Sequence, residues 1–145
     1  MIKNDLADLA GLPARVTGFF QPCGVSPQSV DRVLLTLEEM LSNTIKYGYS
    51  DSAEHAIEID LRVISPSESA PGDACEIVLT LTDDGGAFDP LALPLPDTSA
   101  PVEDRPIGGL GVHLVRSIAS KMQYQRSGDK NQVEISFKKT VDPAG

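Results

Sequence analysis

The chain has 145 residues, of which 41% are hydrophobic and 23% charged, and its formal net charge is −9 at pH 7. That length and balance are typical of a single soluble domain with its own core, so residues 1–145 are expected to form one domain. The negative charge argues against a nucleic-acid surface, which needs clustered Lys and Arg. No apolar run approaches the roughly 18 residues that span a bilayer, and no basic leader precedes a cleavage site. We therefore expect a cytoplasmic protein without a membrane partner.

Two helices are predicted in the first third of the chain, after at most a short edge strand at residues 2–6. Residues 13–20 form the first, with a proline in its first turn. The second begins at Ser26-Pro27, a capping hydroxyl followed by proline, and ends at Gly48. Apolar residues follow that start at helical spacing: Val30, Val33, Leu34, Leu37, Leu41 and Ile45.

Two strands come next. Residues 57–63 and 77–81 alternate between apolar and polar side chains, and together they predict a hairpin around a loop at residues 65–74. Residues 89–106 then contain five prolines and little periodicity. A loop that long in a small domain is usually functional or disordered.

A third helix and a last strand complete the pattern. The helix is marked by Leu110, Leu114, Val115, Ile118 and Met122. Gly128-Asp129 predicts a turn into a strand that carries Val133, Ile135 and Phe137. This order of elements favours an α+β fold, a two-layer sandwich whose mostly antiparallel mixed sheet is covered by helices on one face.

Glu39 and Asn43 lie four positions apart on one face of the long helix, roughly opposite its apolar stripe. One interpretation is a solvated helix face. The other is chemical: an Asn carboxamide oxygen suits Mg²⁺, and a carboxylate one turn away is placed to accept a proton from an attacking hydroxyl. Glu38 is rotated about 100° toward the apolar edge, which makes Glu39 the better candidate.

Asp83, Asp84, Gly85 and Gly86 close an otherwise alternating strand. As a turn they need no further explanation. In the functional interpretation, Asp83 accepts a hydrogen bond from the amino group of a base, and Gly85 lets the backbone approach the ring.

Gly108, Gly109, Leu110 and Gly111 open the third helix, where free amides and the positive end of the dipole can bind phosphate. The alternative is a flexible hinge. Neither a dinucleotide-binding nor a Walker pattern fits, because no strand comes directly before the glycines and no Lys-Ser or Lys-Thr follows them. Arg105 is a candidate for the γ-phosphate or an ordinary exposed arginine. In this order, the three motifs predict a site for ATP with Mg²⁺.

At these residues the chain resembles the GHKL ATP-binding superfamily, and within it the anti-sigma-factor serine/threonine-protein kinases of bacterial partner-switching systems. Residues 37–49 resemble the family's N box, residues 83–90 its first glycine box and residues 106–116 its second. The resemblance covers about residues 4–139. Two positions depart from the pattern: Ala87 replaces a glycine, and the strand that begins at Asn131 lacks the usual Thr.

The resemblance implies that ATP lies between the helices and a mobile lid of residues 89–107. It implies that Glu39 is the general base, that Asn43 binds Mg²⁺ and that Asp83 holds the adenine amino group. The residues implied to contact ATP are Asn43, Lys46, Tyr47, Asp83, Gly85, Ala87, Arg105, Gly108, Gly109, Leu110 and Gly111.

Three functions follow as alternatives. The first is a kinase that phosphorylates a small antagonist protein of an anti-sigma factor. The second is a nucleotide-gated module that sequesters a sigma factor or another partner without phosphotransfer. The third, a detached histidine-kinase catalytic domain, is disfavoured because a hydroxyl needs a base such as Glu39 more than a histidine does. The resemblance leaves a homodimer open, since the N-terminal strand that pairs subunits in the family is short here.

Overall fold

The structure is a computed structural model that describes residues 1–51, 53–64, 76–87, 89 and 109–138. Three α-helices occur in these ranges: α1 (Leu12–Phe20), α2 (Pro27–Tyr47) and α3 (Gly109–Ile118). The strands are β1 (Ile2–Lys3), β2 (Ala56–Ile64), β3 (Glu76–Asp83), β4 (Lys121–Ser127) and β5 (Lys130–Lys138). Short 3₁₀ turns precede and follow α1.

Helix α2 has the ends that the sequence predicts. The Ser26 hydroxyl accepts a hydrogen bond from the amide of Ser29 at 3.3 Å, which caps the helix start. At the other end, the Gly48 amide donates to the carbonyl of Thr44 at 2.8 Å. A side chain at position 48 would not fit, because its Cβ would lie 2.5 Å from the carbonyl oxygen of Thr44.

The strands form one sheet in the order β1-β2-β3-β5-β4, and all four pairings are antiparallel. Strand β1 pairs with β2 through only two residues, so the N-terminal strand is as short as predicted. The apolar face of the sheet packs against the helices, and the core contains Val33, Leu37, Leu41, Leu79 and Ile135. The predicted α+β fold is confirmed.

The sequence-based interpretation was wrong about the segment after α3. Met122 was assigned to the helix, but the helix ends at Ile118 and Met122 lies in β4. The reason is local: the backbone amide and hydroxyl of Ser120 both donate to the carbonyl of Ser136, at 2.8 and 2.9 Å, and draw the chain into the sheet. Leu114 is also 42% exposed, and Val112 takes the core position instead.

Within the described ranges, no helix is long and apolar enough to cross a membrane.

Candidate functional site

Asp83 lies at the end of β3, on the face of the sheet that carries the helices. Its Oδ1 accepts two hydrogen bonds, from the amide of Gly85 at 2.9 Å and from Asn131 Nδ2 at 3.0 Å. Among the described residues, no donor meets Oδ2. The carboxylate is therefore held by one oxygen and keeps an acceptor for a ligand.

The sequence-based reasoning noted that the strand beginning at Asn131 lacks the usual Thr, but it missed the contact of Asn131 with Asp83. Asn131 is 4% exposed and lies directly opposite Asp83 in the pairing of β3 with β5. Its amide nitrogen also donates to the carbonyl of Gly86 at 2.8 Å. The cross-strand position opposite an acidic strand end was the available signal, but it becomes visible only once the register is known.

The glycine loop after β3 rests on the end of α2. The Gly86 amide donates to the carbonyl of Gly48 at 2.9 Å. A Cβ at Gly85 would lie 2.5 Å from that same carbonyl oxygen and 3.1 Å from Asp83 Oδ1. Because the obstacle is backbone, position 85 requires glycine if the loop is to approach the helix this closely. The predicted close approach therefore exists, and it is made to α2. Ala87, the departure from the glycine pattern, is exposed.

Glu39 faces the first turn of α3. A Cβ built on Gly111 would overlap its carboxylate oxygen Oε2. Glu39 is half-buried and Glu38 is exposed, so Glu39 is the more enclosed carboxylate although Glu38 was expected to lie nearer the apolar edge. The physical reason is that α3 packs beside α2 and covers the side of the helix that the sequence-based interpretation left open to solvent.

The remaining N-box positions occupy the last turns of α2. Asn43 is half-buried one turn after Glu39 and is engaged in an interaction within the fold. Lys46 and Tyr47 are exposed, Tyr47 by 56%. Their contacts with ATP stay a prediction.

The second glycine motif is described only from Gly109 onward. Gly109, Leu110 and Gly111 form the first turn of α3, which places their backbone amides at the start of the helix. Arg105, Gly108 and the predicted lid of residues 89–107, apart from Asp89, lie outside the described residues.

A polar cluster around His55 lies next to the strand end that carries Asp83 and Asp84. His55 Nε2 lies 2.7 Å from Asp51 Oδ1, and His55 Nδ1 lies 3.1 Å from Asp84 Oδ1. The hydrogen bonds to Asp51 and then to Asp84 raise the pKa of His55, and the same contact lowers the pKa of Asp51. Tyr49 stacks on the imidazole at 4.3 Å, and burial, followed by the charge of Asp83, raises the pKa of its phenol.

The described residues fit a nucleotide better than a metal bound by protein alone. They contain no group of three or more His, Cys, Asp or Glu side chains that could hold a metal ion. They do contain a carboxylate with an open acceptor, glycines that let backbone and carboxylate come close, and helix amides at the start of α3. The expected binding of Mg²⁺ by Asn43 stays a prediction.

Comparison with known proteins agrees with this description. The sequence model of the histidine kinase-like ATPase domain matches residues 2–137. The serine/threonine-protein kinase BtrW of Bordetella bronchiseptica is 27% identical over 107 residues, which are 72% of this chain and 69% of BtrW.

Solved structures show a similar fold. The blue-light activated histidine kinase of Erythrobacter litoralis EL346 superimposes with a TM-score of 0.54 over 90% of this chain, at 16% identity. This chain covers 40% of that structure, and it covers 59% of the separate histidine kinase domain of the same protein, where the TM-score is 0.48.

Proposed function

Since this chain belongs to the histidine kinase-like ATPase domain family, we propose that it is a Mg-ATP-dependent kinase that phosphorylates a Ser or Thr hydroxyl of a small antagonist protein in a partner-switching system. Membership implies ATP use. Similarity to BtrW, a serine/threonine-protein kinase, supports a hydroxyl acceptor over a histidine. The observation that carries the proposal is the half-buried Glu39 against the start of α3.

The glycine loop after β3 and the first turn of α3 meet α2 at two separate points along the helix, and the distance between these points suits the length of a nucleoside triphosphate. The glycine loop that follows Asp83 contacts Gly48, whereas the first turn of α3 meets Glu39. Gly48 follows Glu39 by nine positions, which corresponds to a rise of about 13.5 Å along the helix. We infer that a nucleoside triphosphate lies along α2, with its base beside Asp83 and its terminal phosphate near Glu39.

Each residue then has a distinct task. Asp83 Oδ2 accepts a hydrogen bond from the base, and the amides of Gly109 and Gly111 face the phosphates. Asn43 would offer its carboxamide oxygen to Mg²⁺, and the bound ion would supply positive charge where the phosphoryl oxygens gain negative charge. Glu39 accepts the proton of the attacking hydroxyl. The new bond joins that oxygen to the γ-phosphorus, the bond to the β-phosphate oxygen breaks, and ADP leaves.

The test is transfer of labelled γ-phosphate from ATP to candidate small antagonist proteins. Glu39→Gln should lower the rate about 10²–10⁴-fold at saturating ATP, since that is the usual contribution of a general base. Nucleotide affinity should stay the same or rise slightly, because a negative charge near the phosphates is removed. Glu38→Gln is the matched control: it changes an exposed carboxylate on the same helix and should leave the rate unchanged.

Two results would count against the proposal. Equal transfer by wild type and Glu39→Gln would remove the carboxylate from the chemistry. A wild-type protein that binds ATP and the antagonist but transfers no phosphate would be a nucleotide-gated sequestering module instead.

Asn43→Ala tests the metal separately. Calorimetry should show that the variant has lost the magnesium-dependent part of ATP affinity, while a cooperative thermal unfolding transition without ligand shows that it is still folded. Full magnesium-dependent affinity would exclude Asn43 from the metal site.

A further inference from the structure

We propose that Asn131 is the positioning residue of the base subsite: it fixes Oδ1 of Asp83 and thereby leaves Oδ2 to recognise the 6-amino group of adenine. The inference deepens the proposed function and rests on it for the identity of the base. It concerns a residue that the sequence marked only as a departure from the family pattern, in the strand that lacks the usual Thr.

The strand register places the relevant side chains in one row. Asp83 of β3 is paired with Asn131 of β5, and Asn131 is paired with Arg126 of β4. Asp83 and Asn131 follow the alternation of the core residues of their strands, so both lie on the helix-facing side of the sheet. The third residue of this row also contacts the glycine loop: Arg126 Nη1 donates to the carbonyl of Gly85 at 2.8 Å.

The orientation of the Asn131 amide follows from its neighbours. At one end, Tyr124 donates its hydroxyl to Asn131 Oδ1 at 2.6 Å. At the other end lie acceptors, namely Asp83 Oδ1 at 3.0 Å and the carbonyl of Gly86 at 2.8 Å. Only the NH₂ group can donate to two acceptors, so the amide has a single satisfied orientation. Asn131 is also 4% exposed, and burial makes an unsatisfied alternative costly.

This network distinguishes the two oxygens of Asp83. Oδ1 accepts from both the Gly85 amide and Asn131, whereas Oδ2 meets no donor among the described residues. The terminal torsion of an Asp side chain is broad, so without a second donor the carboxylate turns over a wide range. Asn131 restricts that rotation. Its hydrogen bond to the carbonyl of Gly86 also fixes the position of the glycine loop relative to Asp83.

The experiment compares ATP with purine riboside triphosphate, which lacks only the 6-amino group. Calorimetry on the full chain gives the ratio of the two affinities, and this ratio measures what Asp83 gains from the amino group. In Asn131→Ala the preference for ATP should fall about tenfold, or ~1.4 kcal/mol. A merely structural loss would weaken both nucleotides equally and leave the ratio unchanged.

Two further variants keep the test informative if Asn131→Ala folds poorly. Tyr124→Phe keeps the ring and removes the hydroxyl that orients the amide, so it should lower the ratio in the same direction by a smaller factor. Gln132→Ala removes a carboxamide at the next, exposed position of β5 and should leave the ratio at its wild-type value.

Amide hydrogen exchange without nucleotide gives an independent measurement. Exchange at Gly85 and Gly86 should be faster in Asn131→Ala than in wild type, and unchanged in Gln132→Ala. An unchanged affinity ratio in both Asn131→Ala and Tyr124→Phe would overturn the role of Asn131 and leave the kinase proposal intact. A wild type that binds neither nucleotide would overturn the proposed function, and the exchange rates would then decide whether Asn131 positions the loop.

Discussion

Tyr49 buries its hydroxyl without a hydrogen-bond partner among the described residues, close to Asp83. Its ring stacks on His55. An unsatisfied buried polar atom costs stability, so its removal should be favourable. We expect Tyr49→Phe to raise the free energy of unfolding by about 1 kcal/mol in a urea titration.

Tyr124→Phe makes the same substitution at a tyrosine whose hydroxyl has a hydrogen-bond partner. The hydroxyl of Tyr124 is bonded to Asn131 at 2.6 Å, and its loss should lower the free energy of unfolding by about 1 kcal/mol. The two variants remove the same atom, so a difference in sign isolates the effect of the hydrogen bond. A loss of stability in both would mean that a water molecule satisfies Tyr49.

At the scale of elements, the contact between α2 and α3 can be changed without touching the carboxylate itself. Alanine at position 111 would place its Cβ against Glu39 Oε2, and a flexible carboxylate can move away more easily than backbone can. Gly111→Ala keeps the backbone amide and improves helix propensity by up to about 1 kcal/mol. We expect ATP binding and stability close to wild type, but a phosphotransfer rate lowered toward that of Glu39→Gln.

Gly18→Ala is the control for that variant. It makes the same change within α1, where a Cβ would meet nothing within 4 Å. Its transfer rate should equal that of wild type. If Gly111→Ala transfers phosphate as fast as Gly18→Ala, the position of Glu39 against α3 does not matter for the chemistry.

The elements differ in how far the sequence could predict them. Helix α2 was predictable because Ser26 and Gly48 mark its ends and the apolar spacing is regular. Strand β4 was not predictable, because Met122 lies four residues after Ile118 and so continues the helical spacing. The hydrogen bonds of Ser120 that end the helix reach Ser136, which is 16 positions away in the sequence. The contact of Asn131 with Asp83 was missed for the same reason, since the two residues are 48 positions apart. Local patterns predict elements and motifs, but they do not reveal contacts set by strand register.

At the scale of the whole molecule, His55 joins three separate parts of the chain. Its side chain contacts Asp51 and Asp84, and its backbone amide donates to Asn4 Oδ1 at 2.8 Å. The raised pKa of His55 means that the folded protein binds its proton more tightly than the unfolded chain does. The resulting stability is fully present below the unfolded pKa of about 6.5 and is lost as pH rises through the folded pKa.

Urea unfolding at pH 6 and at pH 9 should therefore show a larger loss of stability in wild type than in His55→Gln. Asp51 has a lowered pKa, so its contribution is lost instead as pH falls through the folded value. His113→Gln, which changes an exposed histidine on α3, should follow the wild-type profile. Parallel profiles for wild type and His55→Gln would show that the ion pairs of His55 add nothing to stability.

The row that joins Asp83, Asn131 and Arg126 has one more consequence, which concerns misfolding. Side chains alternate between the two faces of a sheet, so a shift of β5 by a single residue would turn Asn131 away from the helices and bring Lys130 or Gln132 opposite Asp83. A chain with slipped strands would keep most of its backbone hydrogen bonds and lose the contact between Asp83 and Asn131, and with it the proposed base subsite. The fraction of a preparation that does not bind ATP should therefore include any molecules in which β5 is mispaired.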